Sequence, residues 1–203
     1  KSLLLDNHGL NSTTATKRLV DRLKEINPDI IHLHNLHGYF LNYKILFDYL
    51  KESNKQIVWT LHDCWSFTGH CAHFDFIGCD KWKTGCKSCP AKTSYPRSFF
   101  LSLSARNYQI KKDSFTSVEK NITLVPVSKW LENFIKNSFL KNCKVHTIYN
   151  GIDTSLFIPK SDDIKQKLIE KYHLKGKFIV MGCAAPWHER KGYNDFYKLR
   201  MML

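Results

Sequence analysis

The sequence predicts an α/β protein with a parallel, doubly wound sheet, and three observations predict it. Short apolar runs rich in β-branched residues recur at 30–34, 56–61, 122–127 and 145–148. Segments with apolar residues at helical spacing lie between them, joined by tight connections. The first two runs end in His and Asp, and the edge where parallel strands end is where such proteins place their chemistry.

Taken in order, Ser12 is positioned to cap a helix whose apolar residues Ala15, Leu19, Leu23 and Ile26 share one side, with Pro28 soon after its end. Strand 30–34 follows. Residues 39–50 carry Leu, Tyr and Phe at helical spacing, and 56–61 is again a strand, so this stretch forms a right-handed β-α-β crossover. A cysteine-rich loop spans 63–92. Beyond it the pattern predicts a helix over 98–110, strand 122–127, a helix from a Ser128 cap to Ser138, and strand 145–148.

The texture changes at Asn150. Asn150, Gly151, Ile152 and Asp153 form a turn signal, and Pro159 closes a connector. A polar helix capped by Ser161, a buried strand at 178–181, a loop and another helix then suggest a second α/β unit. The expected division is an N-terminal Rossmann-like domain over 1–152 and the start of a second over 153–203. Lys1 in place of an initiator methionine and an uncapped helical pattern at 199–203 suggest a fragment.

With 203 residues and 43% apolar content the chain can bury a core. Its apolar runs fall short of the roughly 20 residues that span a bilayer, and Leu3, Leu4 and Leu5 are too few for a signal-peptide core. The formal charge of +13 suggests an anionic partner. Residues 81–112 hold eight Lys or Arg and no Asp or Glu, interleaved with Trp82, Tyr95, Phe99, Phe100 and Tyr108. A solvated face is the plain alternative.

Parallel strands bring His32, His34, Asn35 and His37 to the same edge as His62 and Asp63. For His32 a core histidine bonded to backbone is favoured. His62, just past its strand and beside a carboxylate, is the candidate functional histidine. His-Leu-His at a strand end also resembles the entry motif of metal-dependent hydrolases, which would need further His and Asp ligands at later strand ends. Ser128 and Tyr149 stand there instead.

After Cys71, seven residues lead to Cys79, six to Cys86 and two to Cys89. Nothing in the sequence signals export, so zinc is favoured over disulfides, with free thiols or one disulfide as the alternative. Zinc held by four thiolates is structural, because no ligand position stays open. Lys81, Lys83 and Lys87 are placed to offset its negative charge. Cys64 is left over near His62, and Cys143 and Cys183 read as small buried residues.

Glu189, Arg190, Lys191 and Gly192 lie between a strand and a helix start, where backbone amides and a lysine can hold a phosphate. A Gly-rich dinucleotide fingerprint and a Walker loop are both absent from the sequence.

Together DIIHLHNLHGYFLN, VWTLHDCWSFTGHC, CDKWKTGCKSCP, VPVSKWLEN, IYNGIDTSLF and WHERKG resemble the glycosyltransferase family 4 enzymes of the GT-B fold, with the closest likeness to bacterial members that build surface polysaccharide. The resemblance implies two Rossmann-like domains and transfer of a sugar from a nucleotide-sugar donor to a glycan or lipid-linked acceptor, usually with retention and without a catalytic metal. The family's strand-end histidine matches His62. Its donor-diphosphate lysine matches Lys191, with Arg190 beside it, and its interdomain segment matches Asn150 and Gly151. Members of the closer group often carry the four cysteines Cys71, Cys79, Cys86 and Cys89. Asn35, His37, Gly38 and Asp63 are assigned to the acceptor side from edge position. The family's first strand and Gly-rich loop would precede Lys1, an arginine expected after Met181 is missing, and the donor-binding acidic pair would follow Leu203, so the fragment alone is expected to be inactive. A cytoplasmic location, at the inner face of an anionic membrane, fits this reading. A zinc-stapled module binding nucleic acid is the remaining alternative.

Overall fold

The computed structural model describes residues 2–202, with side chains from Leu4 onward. The chain divides into two compact units, Lys1–Asn150 and Gly151–Leu203.

In the first unit the short α1 (Ser2–Leu5) and α2 (Thr13–Ile26) precede β1 (Ile30–Leu33), α3 (Tyr43–Ser53), β2 (Gln56–Leu61), α4 (Ser104–Thr116), β3 (Ile122–Pro126), α5 (Lys129–Lys136) and β4 (Lys144–Val145). The four strands are parallel in the order β1-β2-β3-β4. The strand order does not reverse among the described residues, so the doubly wound arrangement itself is not seen here. The Rossmann-like parallel α/β class is.

Register explains why one face is buried. Ile31 pairs with Ile57 and Ile57 with Ile122, while Leu33 pairs with Trp59 and Trp59 with Leu124. Ladder partners share a face, and all six of these residues are buried. Phe115 of α4 packs its ring 4.9 Å from Trp59, 4.6 Å from Phe47 and 5.3 Å from Tyr43, which locks α3 and α4 over that face. The opposite face carries exposed Ile30 and His32.

Local chemistry sets the helix ends, and several differ from expectation. Ser12 adopts a left-handed backbone and makes no side-chain cap bond. Its hydroxyl instead donates to the Tyr39 carbonyl at 2.7 Å. The buried side of α2 is Thr16 and Val20, whereas Ala15, Leu19 and Ile26 are exposed. Helix α3 starts at Tyr43 because the Asn42 side chain accepts the Ile45 N–H at 3.2 Å. Helix α4 starts at Ser104 rather than near 98, where the Ser98 hydroxyl donates to the Leu101 carbonyl at 2.8 Å and holds a turn. Ser128 caps α5 as expected, accepting from Leu131 N–H.

The second unit contains α6 (Asp162–Lys171) and α7 (Tyr193–Met202) and a 3-10 turn over Glu189–Lys191. The buried strand expected at 178–181 is not formed: Phe178 is 94% and Met181 85% exposed. A strand needs a neighbour for its N–H and C=O groups, and the described residues of this unit supply no other strand. Cys183 is exposed, against expectation, while Cys143 is buried. Among the described residues no helix is long and apolar enough to cross a membrane.

Candidate active site

The polar pocket opens where β1 and β2 end. His34, Asn35, His37, His62 and Asp63 line it together with Trp59, Trp65 and Ser66. Gly38 lies next along the chain outside this lining, and a side chain there would meet the Phe40 ring.

Two hydrogen-bonded arrays shape the pocket. In the first, His34 Nδ1 and His62 Nε2 lie 3.1 Å apart, with their rings stacked at 5.5 Å. One nitrogen must donate and the other accept, so the tautomers of the two rings are coupled. His32 continues the stack, 4.5 Å from the His34 ring. Its Nε2 meets the Thr60 hydroxyl at 2.9 Å on the open face, so it is not the backbone-bonded core histidine expected. The indole of Trp59 donates to the His34 carbonyl at 2.8 Å and anchors this strand end to the core.

In the second array Tyr95 Oη meets His37 Nδ1 at 3.1 Å, and His37 Nε2 donates to Asp63 Oδ2 at 2.8 Å. The other Asp63 oxygen accepts the Trp65 N–H at 2.9 Å. Burial acts to raise the Asp63 pKa, but the hydrogen bond and charge of His37 and the Trp65 amide outweigh it and hold the carboxyl below its usual value. Asp63 is therefore an ionised, held acceptor, and the more exposed His62 beside it is free to meet a ligand.

The cysteine loop forms a second locus. Cys71, Cys79, Cys86 and Cys89 line one pocket with Thr68, Phe74, Lys81, Trp82 and Lys87. Phe74 and Trp82 stack at 5.0 Å, and both meet Phe134 of α5, which docks the loop on the domain. The buried Cys71 thiol donates to the Cys89 sulfur, which holds Cys71 up as a thiol and Cys89 down toward the thiolate. Burial pushes Cys86 up to about 11. Among the described residues no three of these sulfurs lie all within 4.8 Å of one another. The donor set nonetheless suits zinc: four thiols on one pocket, with a buried cation nearby. Cys64 is buried away from this lining.

That cation is Lys111, which the sequence places in a basic stretch expected to face either an anionic partner or solvent. It is 1% exposed, its Nζ donates to the carbonyls of Trp65 and Thr68 at 2.7 and 2.9 Å, and it sits 3.4 Å from the centroid of the Trp65 ring. Of the lysines expected to balance the thiolates, Lys83 pairs with Asp80 and Lys81 donates to the carbonyls of Lys87 and Ser88. Only the i, i+3, i+4 position of Lys111 beside Ser114 and Phe115, on the face of α4 that turns inward, could have signalled its burial.

Gly69 packs this locus tightly. Its N–H donates to Cys86 Sγ at 3.2 Å, and an added Cβ would run into the Ser104 carbonyl and come 2.7 Å from Cys86 Cβ. Gly69→Ala should cost roughly 1–3 kcal/mol, and urea unfolding monitored by tryptophan fluorescence measures it; an unchanged midpoint would contradict the packing.

In the first unit, Asn150 is an exposed residue at the boundary; Gly151 opens the second unit and is also exposed. Arg190 and Lys191 stand on the exposed turn before α7, where Lys191 Nζ donates to the Ala185 carbonyl at 3.2 Å. Gly192 follows in the left-handed region at φ 75°, which glycine adopts without a steric cost.

The first unit is thus a Rossmann-like domain whose polar pocket opens at the carboxyl edge of a parallel sheet. The family model described as Glycosyltransferase Family 4 matches residues 1–156, and the chain belongs to that family. Over 74 residues it is 45% identical to an Escherichia coli (strain K12) protein named as a colanic acid biosynthesis glycosyl transferase, WcaC; the match covers 34% of this chain and 18% of that relative. No solved structure matches the chain at a significant level.

Proposed function

We propose that the full-length protein transfers a sugar from a nucleotide-sugar donor to a glycan or lipid-linked acceptor in polysaccharide biosynthesis, with retention of configuration and without a catalytic metal. The observation that carries this reading is the pocket at the ends of β1 and β2, with His62 exposed beside the held Asp63 carboxylate. Asn35, His37 and Asp63 bind the acceptor side, with Gly38 giving the turn that follows. Lys191 and Arg190 bind the donor diphosphate, whose negative charge grows as the sugar–phosphate bond breaks; positioned cations stabilise that charge most in the transition state. Asn150 and Gly151 join the two binding regions.

Cys71, Cys79, Cys86 and Cys89 hold a structural zinc that orders the loop behind His62, contributing its binding energy to folding. A cytoplasmic enzyme at an anionic membrane surface fits the exposed Phe99, Phe100 and Leu101 beside Arg97. The hydrolase alternative is not favoured: it needs further ligands at the later strand ends, where Ser128 instead caps α5 and Tyr149 is no metal-binding His or Asp.

Isothermal titration of the full-length protein with a panel of nucleoside diphosphates tests the reading. One nucleotide should bind, and Lys191→Ala should weaken it by about tenfold or more, the loss of one charge-assisted contact. A folded protein that binds none of the panel would sink the assignment.

A further inference from the structure

We propose that Asp6, His8 and His70 form a second metal site, a buried one that takes a divalent transition metal of the zinc class and ties the segment before α2 to the cysteine loop. One ligand atom from each of the three lies within 4.8 Å of the others, and the residues are 0%, 4% and 2% exposed. The two imidazoles are ligands that zinc and its neighbours accept, with Asp6 behind His70 as the carboxylate that orients it and water completing the shell.

The hydrogen bonds leave lone pairs unmatched. His8 Nε2 lies 2.9 Å from the Arg97 carbonyl, which can only accept, so the proton is on Nε2 and Nδ1 bears the lone pair. That Nδ1 is buried with no partner. His70 Nδ1 meets Asp6 Oδ1 at 2.5 Å, and His70 Nε2 is likewise buried with no partner. An imidazole whose second nitrogen is tied to a carbonyl or carboxylate is how proteins orient a metal-bound histidine. Two such buried nitrogens, on rings whose centroids lie 5.7 Å apart, would otherwise each cost the desolvation of an unsatisfied polar atom.

The surroundings are built to hold this arrangement. Asp6 Oδ2 accepts the Leu103 N–H at 2.8 Å, and the Asn107 side chain donates to the Asp6 carbonyl at 2.6 Å. Asp6 and Gly9 take left-handed backbones, at φ 51° and 73°, that fold the segment tightly around His8. Asp6 and His70 also act electrostatically on Cys89, so this site adjoins the thiolates. Where the zinc reading holds, a net positive site here and Lys111 together offset the net negative charge of the tetrathiolate.

The test is metal analysis and X-ray absorption on full-length protein, alongside cobalt-substituted protein. Wild type should show nitrogen and oxygen scatterers at the metal in addition to any sulfur. His8→Gln and His70→Gln should each lose one metal equivalent while keeping any thiolate-to-cobalt charge-transfer band, and Cys86→Ser should lose that band while keeping the nitrogen-ligated ion. If the cysteines bind nothing, the band is absent and the histidine-dependent ion remains, so the two sites fail separately. A sulfur-only shell in wild type, or a metal content unmoved by both histidine variants, overturns the proposal. The wild-type absorption spectrum decides the matter even if a variant does not fold.

Discussion

In the proposed sugar transfer, His62→Ala should lower kcat of the full-length protein about 10²- to 10³-fold while leaving nucleotide affinity and melting temperature close to wild type. The size follows from what a positioned acid, base or hydrogen-bond donor contributes in the transition state. The selectivity follows from the fold. His62 lies one residue beyond β2 with its side chain exposed, so its removal leaves the buried ladder of Leu33, Trp59 and Leu124 untouched. Its one side-chain partner is another exposed histidine, His34, at 3.1 Å. Steady-state kinetics with saturating donor, beside a thermal melt, separates the two effects. An unchanged kcat would remove His62 from the chemistry, and a fall matched by a lost melting transition would make it structural. His34→Gln gives the complementary result: a smaller fall in kcat, because the ring that orients His62 at 3.1 Å is replaced by an amide that can still hydrogen-bond it.

The parts of this molecule readable from the sequence were those governed by neighbours along the chain. Strand β2 lies where its alternation of Ile57, Trp59 and Leu61 with more polar residues places it, since period-two patterning is a direct print of the pleat. Ser128 caps α5 through a bond only three residues long. What the sequence hid depends on partners far along the chain. Ser12 gives up its cap for Tyr39, 27 residues away. His37 and Asp63, placed at one edge by topology, are joined to Tyr95 only by the return of the loop. Asp6 and His8 lie more than 60 positions from His70, and no local pattern links them to it. Residues 178–181 carry strand propensity, but propensity does not bury a segment that has no ladder to join.

Lys111 is the sharpest case, and its replacement gives the second large effect. Lys111→Met keeps the length of the side chain and removes the ammonium. The Trp65 and Thr68 carbonyls then lose the donor they share at 2.7 and 2.9 Å, and each buried acceptor left unmatched costs about 1–3 kcal/mol. With zinc bound, the negative thiolates also lose their buried counter-charge, and breaking such a pair costs about 3–5 kcal/mol. The metal-bound protein should therefore lose stability by that larger amount in urea unfolding and release zinc to a chelator faster. The metal-free protein should show a different signature. Burial pushes the Lys111 pKa down to about 7, against the opposing pull of Cys86, Cys71, Asp63 and Asp6. The unfolded lysine, with a pKa near roughly 10.4, binds more protons than the folded one between those two values. Wild-type stability relative to Lys111→Met must then rise with pH from about 7 toward 10. Below about 7 the lysine is charged in both states, and the difference between the proteins levels off at its least favourable value for wild type. Melting both metal-free proteins across that range cancels the titrating thiols, which they share. A difference curve that is flat from pH 7 to 10 would mean that Lys111 stays charged in the fold even without the metal, held by its two carbonyls and the Trp65 ring alone.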